Sequence, residues 1–254
     1  MKKILTARNL KKLYGTKTNA IAALNGIDLD IEEGEFVSVM GPSGAGKTTL
    51  LNIIATIDYP SSGTIQIEET QLARMSEEKL SNFRRKHLGF IFQDFNLLNN
   101  FTVKENIILP LALANKPPRI INQRLKAITE KLGIQDIVEK YPVTISGGQK
   151  QKTAAARAVI SDPTLVLADE PTGALDSKSS ADLLGCLKRL NQENHSTILM
   201  VTHDAFAASY SKRVIFIKDG KFFTEIYSSG DRKDFFKKIM DILKSFGGDG
   251  SAVI

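Results

Sequence analysis

The chain has 254 residues, 42% of them hydrophobic, enough to bury a full core as one large or two small domains, which excludes a disordered chain. Its single cysteine excludes an internal disulfide and agrees with a reducing cytosol, and no apolar run approaches the roughly 18 residues of a spanning helix, so we expect a protein neither secreted nor itself transmembrane. The net charge of +6 permits contact with an anionic membrane face or nucleic acid, but 28 acidic residues lie among the lysines and arginines, and an ordinary solvated surface accounts for it equally well.

Ile4 to Lys12 reads as a strand leading to Leu13-Tyr14-Gly15, and Ile27 to Ile31 as a second, followed by the turn Glu33-Gly34-Glu35. Together they predict a small antiparallel layer. Phe36-Val37-Ser38-Val39-Met40 then reads as a buried strand and Thr49 to Ile54 as a helix. Between them lies Gly41-Pro42-Ser43-Gly44-Ala45-Gly46-Lys47-Thr48, a G-x-x-x-x-G-K-[ST] string in the strand, loop, helix context that a phosphate-binding loop requires. Its glycines let the backbone wrap a phosphate, so that successive N–H groups and the helix N-terminus face the anion. Lys47 then reaches the outer phosphates and the Thr48 hydroxyl is placed for Mg²⁺. Tyr14 alone is a common strand-end aromatic, yet an exposed ring shortly before a nucleotide loop can stack on adenine.

Pro60-Ser61-Ser62-Gly63 turns the chain into the strand Thr64 to Glu68, and a polar helix around Ser76 to Lys86 precedes a buried strand, His87 to Gln93, that ends on an amide. There Gln93 lies where ligands bind in open α/β sheets and can orient a water or touch Mg²⁺; without the phosphate loop it is a routine strand terminator. From Asp94 to about Ile160 the pattern is helical with no strand of its own: Val103 to Ala114, then Pro117 to Leu132 with Gly133 past its end. Ser146-Gly147-Gly148-Gln149 opens a further helix running through Arg157, which makes a second anion site at a helix N-terminus. Two such sites in one protein point to a pair of chains that share nucleotides.

Leu165 to Ala168 reads as a buried strand ending in Asp169-Glu170, where Asp169 fits the metal and Glu170 the general base for an attacking water. Pro171 to Asp176 is a tight loop, and the following helix, Ser177 to about Asn191, sets Cys186 among leucines as a buried thiol. The last core strand, Thr197 to Thr202, delivers His203 to a position from which it can reach a terminal phosphate, whereas His87 and His195 read as structural. Lys212 to Lys218 and Phe222 to Ile226 form a hairpin through Asp219-Gly220. The tail carries Phe235, Phe236, Ile239, Met240, Leu243 and Phe246 at helical spacing, a stripe that suits packing on its own domain or a partner subunit better than a membrane surface.

In this order the elements resemble the nucleotide-binding domain of ATP-binding cassette (ABC) transporters across essentially the whole chain. Tyr14 corresponds to the adenine-stacking aromatic, Gly41 to Thr48 and the adjoining Thr49 to the Walker A loop, and Gln93 to the Q-loop glutamine. Ser146-Gly147-Gly148-Gln149 matches the signature, Leu165 to Glu170 the Walker B strand with its catalytic glutamate, Gly173 to Asp176 the D-loop, and His203 the switch histidine. Ile145, Lys152 and Ala205 depart from the usual leucine, arginine and proline, and the lysine keeps charge without the bidentate fork.

The resemblance implies a single α/β P-loop NTPase domain over 1–254 with a mixed sheet core. That core and its antiparallel β layer would take 1–93 and 161–230, a helical subdomain 94–160, and a helical tail 231–254. It implies an ATP hydrolase with ATP and Mg²⁺ as cofactors, Thr48, Gln93 and Asp169 serving the metal and Glu170, His203 and Gln93 the chemistry. ATP would lie between the Walker A of one chain and the signature of a second copy, with Asp176 beside it. The implied setting is the cytoplasmic side of the cell membrane, peripheral to a permease, without nucleic acid, and with a sensor histidine kinase as a further partner reached through the permease. The stretch Ala207 to Gly220 and the Phe235-Phe236 tail are most similar to the bacitracin-type (Bce) antimicrobial-peptide resistance ATPases of Gram-positive bacteria; the lipoprotein-release and macrolide-export ATPases are the sister alternative. A soluble ATP-driven clamp is disfavoured by the single cassette and by the mere 99 positions from Lys47 to Ser146, and a regulatory module without turnover by the intact catalytic set.

Overall fold

The computed structural model describes residues 2–15, 19–72 and 75–246. The chain divides into two compact units, Met1–Arg74 with Leu199–Ile254, and Met75–Ile198, so the boundaries expected near 94 and 160 both fall inside the second.

In the first unit β1 (Lys3–Tyr14) pairs antiparallel with β2 (Ile21–Glu32) and with β4 (Ser62–Ile67), and β5 (Thr70–Gln71) completes the order β2-β1-β4-β5. Leu5, Ala7 and Leu10 point inward against Leu29 and Ile31, while Asp30 on the polar side accepts from Lys3 Nζ at 2.9 Å and Arg8 Nη2 at 2.7 Å. The ladder carries β2 six residues further back than its apolar pattern predicts, with Ile21 opposite Tyr14. β3 (Phe36–Met40) is buried throughout, as a strand covered on both faces must be. It runs parallel to β9 (Arg213–Lys218), which forms the expected hairpin with β10 (Lys221–Tyr227). On the other side of β3 runs β8 (Ile198–Val201), after which the Thr202 N–H donates to the Val39 carbonyl at 3.1 Å.

The apolar tail resolves as intramolecular packing. α8 (Arg232–Phe246) buries Phe235 and Ile239 against Met40, Val214, Phe216 and the short helix α7 (Ala205–Ala208), while Phe246 lies 5.9 Å from the Phe216 ring. The last part of the expected tail, 247–254, lies outside the described residues.

The second unit contains α2 (Glu77–His87), β6 (Leu88–Ile91), α3 (Val103–Leu113), α4 (Pro118–Leu132), α5 (Gly147–Val159), β7 (Leu165–Asp169) and α6 (Ser177–Asn194). β6 and β7 are parallel with Leu88 opposite Leu165, and among the described residues no strand lies between them in sequence. Four of these five helix starts have a chemical reason: Thr102 and Glu105 form a capping box on α3, Pro118 occupies the first position of α4, Ser146 and Gln149 cap α5, and Asp176 caps α6. Gly133 ends α4 in the left-handed conformation, φ 63°. The buried Asn106 amide donates to the carbonyls of Leu98, Phe101 and Thr102 and accepts from the Leu98 N–H, which folds the connector before α3 onto that helix. Cys186 is buried in α6 as expected, His87 stacks on Phe83 with Nδ1 3.1 Å from Thr164 Oγ1, and His195 is exposed where it ends α6 at φ 54°.

Candidate functional site

The loop after β3 is wedged into place by backbone. A Cβ at Gly41 would stand 2.2 Å from the Ile217 carbonyl oxygen, and one at Gly46 would stand 2.2 Å from that of Ala23, at a φ of +94° that side chains rarely adopt. The Ala45 carbonyl accepts from the Gly220 N–H at 3.3 Å, and the Ala45 N–H donates to the Pro42 carbonyl at 3.2 Å. Pro42, Ser43 and Gly44 are left exposed at the tip. Helix α1 (Lys47–Ile54) starts behind Gly46, which has no side chain to cap the first-turn amides, the arrangement of a helix N-terminus that can receive an anion. The Lys47 chain is buried and its ammonium donates to the carbonyls of Gly41 at 2.8 Å and Pro42 at 3.0 Å, which fixes the charge over the loop; Thr48 is exposed beside it and Thr49 half-buried.

Two further expected residues belong to this unit. Tyr14 is 43% exposed: its hydroxyl donates to Asp58 Oδ2 at 2.6 Å, and the Lys12 ammonium lies 4.9 Å from the ring centroid. The Asp58 carboxylate raises the phenol's pKa above its ordinary value. Burial pushes Asp58 itself up, but Lys12, the Tyr14 hydroxyl and the Tyr59 N–H outweigh it and leave the carboxyl below its usual value. His203 is exposed just past β8, between Thr202, whose Oγ1 accepts from the Asp204 N–H at 3.0 Å, and α7, which Asp204 caps by accepting from the Phe206 N–H at 2.8 Å. The Arg232 guanidinium of α8 lies 4.4 Å from the Tyr210 ring and 5.4 Å from that of Phe206, so the tail helix braces the segment that follows His203.

The second unit holds Gln93, Ser146 to Gln149, Asp169, Glu170 and Asp176. β6 stops at Ile91, so Gln93 sits two residues beyond the strand, exposed, with its amide against Gly173. Asp169 ends β7 and Glu170 follows at φ 43°, a left-handed conformation held by the Gly173 N–H donating to its carbonyl at 2.9 Å. Phe95 and Asn96 are also left-handed, φ 61° and 48°, and their carbonyls accept from Arg157 at 3.0 and 2.6 Å. Desolvation lowers the pKa of that guanidinium. At the start of α5 the exposed Ser146 hydroxyl accepts from the Gln149 N–H at 3.3 Å, while the Gln149 carboxamide oxygen turns back to the Ser146 N–H at 3.0 Å. Asp176 accepts from the N–H groups of Lys178 and Ser179 and from the Ser179 hydroxyl, which lowers its carboxyl pKa.

Sequence reasoning passed over Gln151 and Arg157, the two α5 side chains that hold the segments around Gln93 and Glu170. Gln151 had a signal: it repeats at helical spacing with Ala154, Ala155 and Ala158, so a long amide lies on the small, apolar face of its own helix. Asp58, the partner of Tyr14, had none. Among the described residues no group of three or more His, Cys, Asp or Glu side chains could hold a metal. Within the second unit the Gln93 amide and the Asp169 carboxylate offer oxygen donors, and in the first the Thr48 hydroxyl does; each is of the hard oxygen type that Mg²⁺ takes.

The profile of the ABC transporter family matches residues 24–173. The chain is 54% identical over 246 residues to the bacitracin export ATP-binding protein BceA of Halalkalibacterium halodurans, covering 96% of this chain and 97% of that one. It is 51% identical over 251 residues to the ABC transporter ATP-binding protein YxdL of Bacillus subtilis, covering 99% and 97%. Among solved structures it is similar, at a TM-score of 0.80 and 37% identity, to the ATP-binding cassette MJ0796 of Methanocaldococcus jannaschii in a dimeric post-hydrolysis state bound to ADP and Pi, covering 89% of this chain and all of that one.

Proposed function

The chain belongs to the ABC transporter family as an ATP-binding, ATP-hydrolysing subunit, and we propose that it drives a separate permease that protects the cell envelope from bacitracin-like peptides. The observation that carries this reading is likeness along almost the entire length of a bacitracin export ATPase, tail helix included, supported by a G-x-x-x-x-G-K-[ST] loop closely backed by other backbone at Gly41 and Gly46. No described helix is long and apolar enough to cross a membrane, which agrees with a subunit that acts from the cytoplasmic side on a spanning partner.

In the proposed mechanism Gly41 to Thr49 bind the phosphates through backbone N–H groups and Lys47, and Tyr14 stacks on adenine. Thr48, Gln93 and Asp169 would hold Mg²⁺. When bound, the cation neutralises charge on the phosphate oxygens. Glu170 takes the proton of the attacking water, Gln93 orients that water, and His203 binds the terminal phosphate. Ser146 to Gln149 and Asp176 serve the nucleotide of a second copy, so two chains close head to tail around two ATP molecules. The helical subdomain, 94–160, meets the permease. An apolar groove lined by Phe90, Phe92, Leu109, Pro110 and Leu113, and rimmed by Arg84 and Arg157, runs beside the segment after Gln93 and supplies a seat for a short permease helix. A sensor histidine kinase joins through the permease.

The reading is tested in cells. Deleting the gene is expected to sensitise them to bacitracin-like peptides, with resistance restored by the natural chain and not by Glu170→Gln. Unchanged peptide sensitivity with macrolide sensitivity or stranded lipoproteins would move the chain to a sister branch.

A further inference from the structure

We propose that Gln151 is a positioning residue for hydrolysis, a buried clamp whose carboxamide sets the segments that carry Gln93 and Glu170 relative to each other; this role rests on the reading of Glu170 as the base. Gln151 is fully buried in α5. Its Nε2 donates to the Phe92 carbonyl at 2.9 Å and to the Pro171 carbonyl at 2.7 Å. Both partners can only accept, so the NH₂ end must face them and the orientation of the amide is forced.

The two bonded carbonyls are the ones that matter for geometry. The Phe92 carbonyl belongs to the same rigid peptide plane as the nitrogen and Cα of Gln93, so fixing one fixes the direction in which the Gln93 chain departs. Pro171 follows Glu170 directly, and its ring locks its own φ, so holding its carbonyl restrains the Glu170–Pro171 junction. That junction needs restraint. Glu170 sits at φ 43°, and a residue before proline is limited further by the ring. The Gly173 N–H, donating to the Glu170 carbonyl at 2.9 Å, holds the same turn from its other end.

Gln151 is a poor choice for stability. Its Oε1 is buried with no hydrogen-bond partner, and its neighbours on that helix, Ala154, Ala155 and Ala158, fill their positions with small apolar groups. A buried polar group left half-satisfied weakens a fold, so its two donor bonds must serve another purpose. A single side chain that reaches both segments keeps base and water-orienting amide in one register, which is what an in-line attack needs.

The test uses the full-length chain with Gln151→Met, which keeps the length and removes both donors, and Gln151→Asn, which keeps a polar amide but is one methylene too short. Steady-state ATPase, affinity for a fluorescent ATP analogue and melting temperature are measured together. The expected result is a kcat lower by at least about tenfold, with KM and analogue affinity within about twofold of the natural chain. A kcat within about twofold of the natural chain in either folded variant would overturn the proposal. So would a joint decline of kcat, affinity and melting temperature, or loss of the folded state in both variants, since either makes Gln151 a packing residue only. Glu170→Gln is run alongside. If it retains turnover, the base reading falls and the clamp's purpose with it; if it is inactive while both Gln151 variants turn over normally, only the clamp fails.

Discussion

Gly173→Ala is the substitution whose effect the structure lets us work out most directly. Gly173 is exposed and its φ lies outside the left-handed region, so the backbone accepts alanine without strain. The new methyl would, however, lie 3.0 Å from Cδ and Nε2 of Gln93 and 3.2 Å from its Cγ. Carbon atoms rest comfortably at about 3.5–4.0 Å, so the Gln93 amide must retreat by about half an ångström or swing to another rotamer. Because Gln93 is itself exposed, either escape is cheap and the melting temperature should not move. The catalytic consequence is larger. If Gln93 orients the attacking water as proposed, shifting its amide by about half an ångström or more costs up to about 10² in rate, so we expect kcat to fall about ten- to a hundredfold with KM for ATP preserved. Steady-state hydrolysis by the purified chain, with Gln93→Ala as the floor, measures it. If Gly173→Ala turned over normally while Gln93→Ala did not, the dependence of catalysis on the present seat of Gln93 would be refuted.

Glu170→Gln should retain ATP binding and lose about 10²–10⁴ in turnover, the usual scale for removing a general base, and should leave an ATP-held dimer visible by light scattering. Lys47→Ala should abolish nucleotide affinity in the isolated chain, whereas Ser146→Phe should spare it and block turnover; mixed dimers with one defect per chain tell shared sites from separate ones. Asp30 is held at a pKa of about 2 by Arg8 first and then Lys3, against 3.8 unperturbed. A depressed carboxyl stabilises the fold above its unfolded value and loses that contribution as pH falls, so the loss should run from about pH 4 down to 2. Arg8 and Lys3 are 44% and 54% exposed, which leaves about 1 kcal/mol after screening. Asp30→Asn should therefore be less stable at neutral pH and show a flatter acid profile in urea melts, an effect that shrinks with salt.

Much of this was legible from the chain because the signals are local. A continuous apolar run, a glycine-rich string and a lysine at fixed spacing give β3, the loop and α1 with little room for another answer, and the Ser-x-x-Gln and Asp-Ser starts of α5 and α6 give their caps. Boundaries slipped where the ladder rather than the side chains decides: β2 reaches back to Ile21 because Tyr14 pairs with it, although Ile21 is exposed and breaks no apolar pattern. The aromatic tail stayed open between self and partner since periodicity names a face and not its cover; Met40, Val214 and Phe216 supply it from 19 or more positions before Phe235. The strain at Glu170 left no local mark, and neither did the partners of Gln151: an amide on the alanine face of α5 marks that residue but not the carbonyls 20 and 59 positions away that it holds.

The left-handed residues of the second unit also say how force can pass through it. Phe95, Asn96 and Glu170 each hold a conformation that costs on the order of 1–3 kcal/mol, and such residues persist only where their surroundings over-determine them. Here the surroundings include two side chains of one helix, Arg157 on the first pair and Gln151 beside the third, which the Gly173 N–H also holds. A helix is stiff along its axis, so a displacement of α5 must carry both segments with it, whereas loops braced by separate elements would respond separately. The N-terminal cap of that helix is Ser146, the residue assigned to the partner's nucleotide. A push received there therefore reaches Glu170 and the segment after Gln93 together. Loosening either side-chain clamp should consequently separate two responses that the intact helix keeps in step.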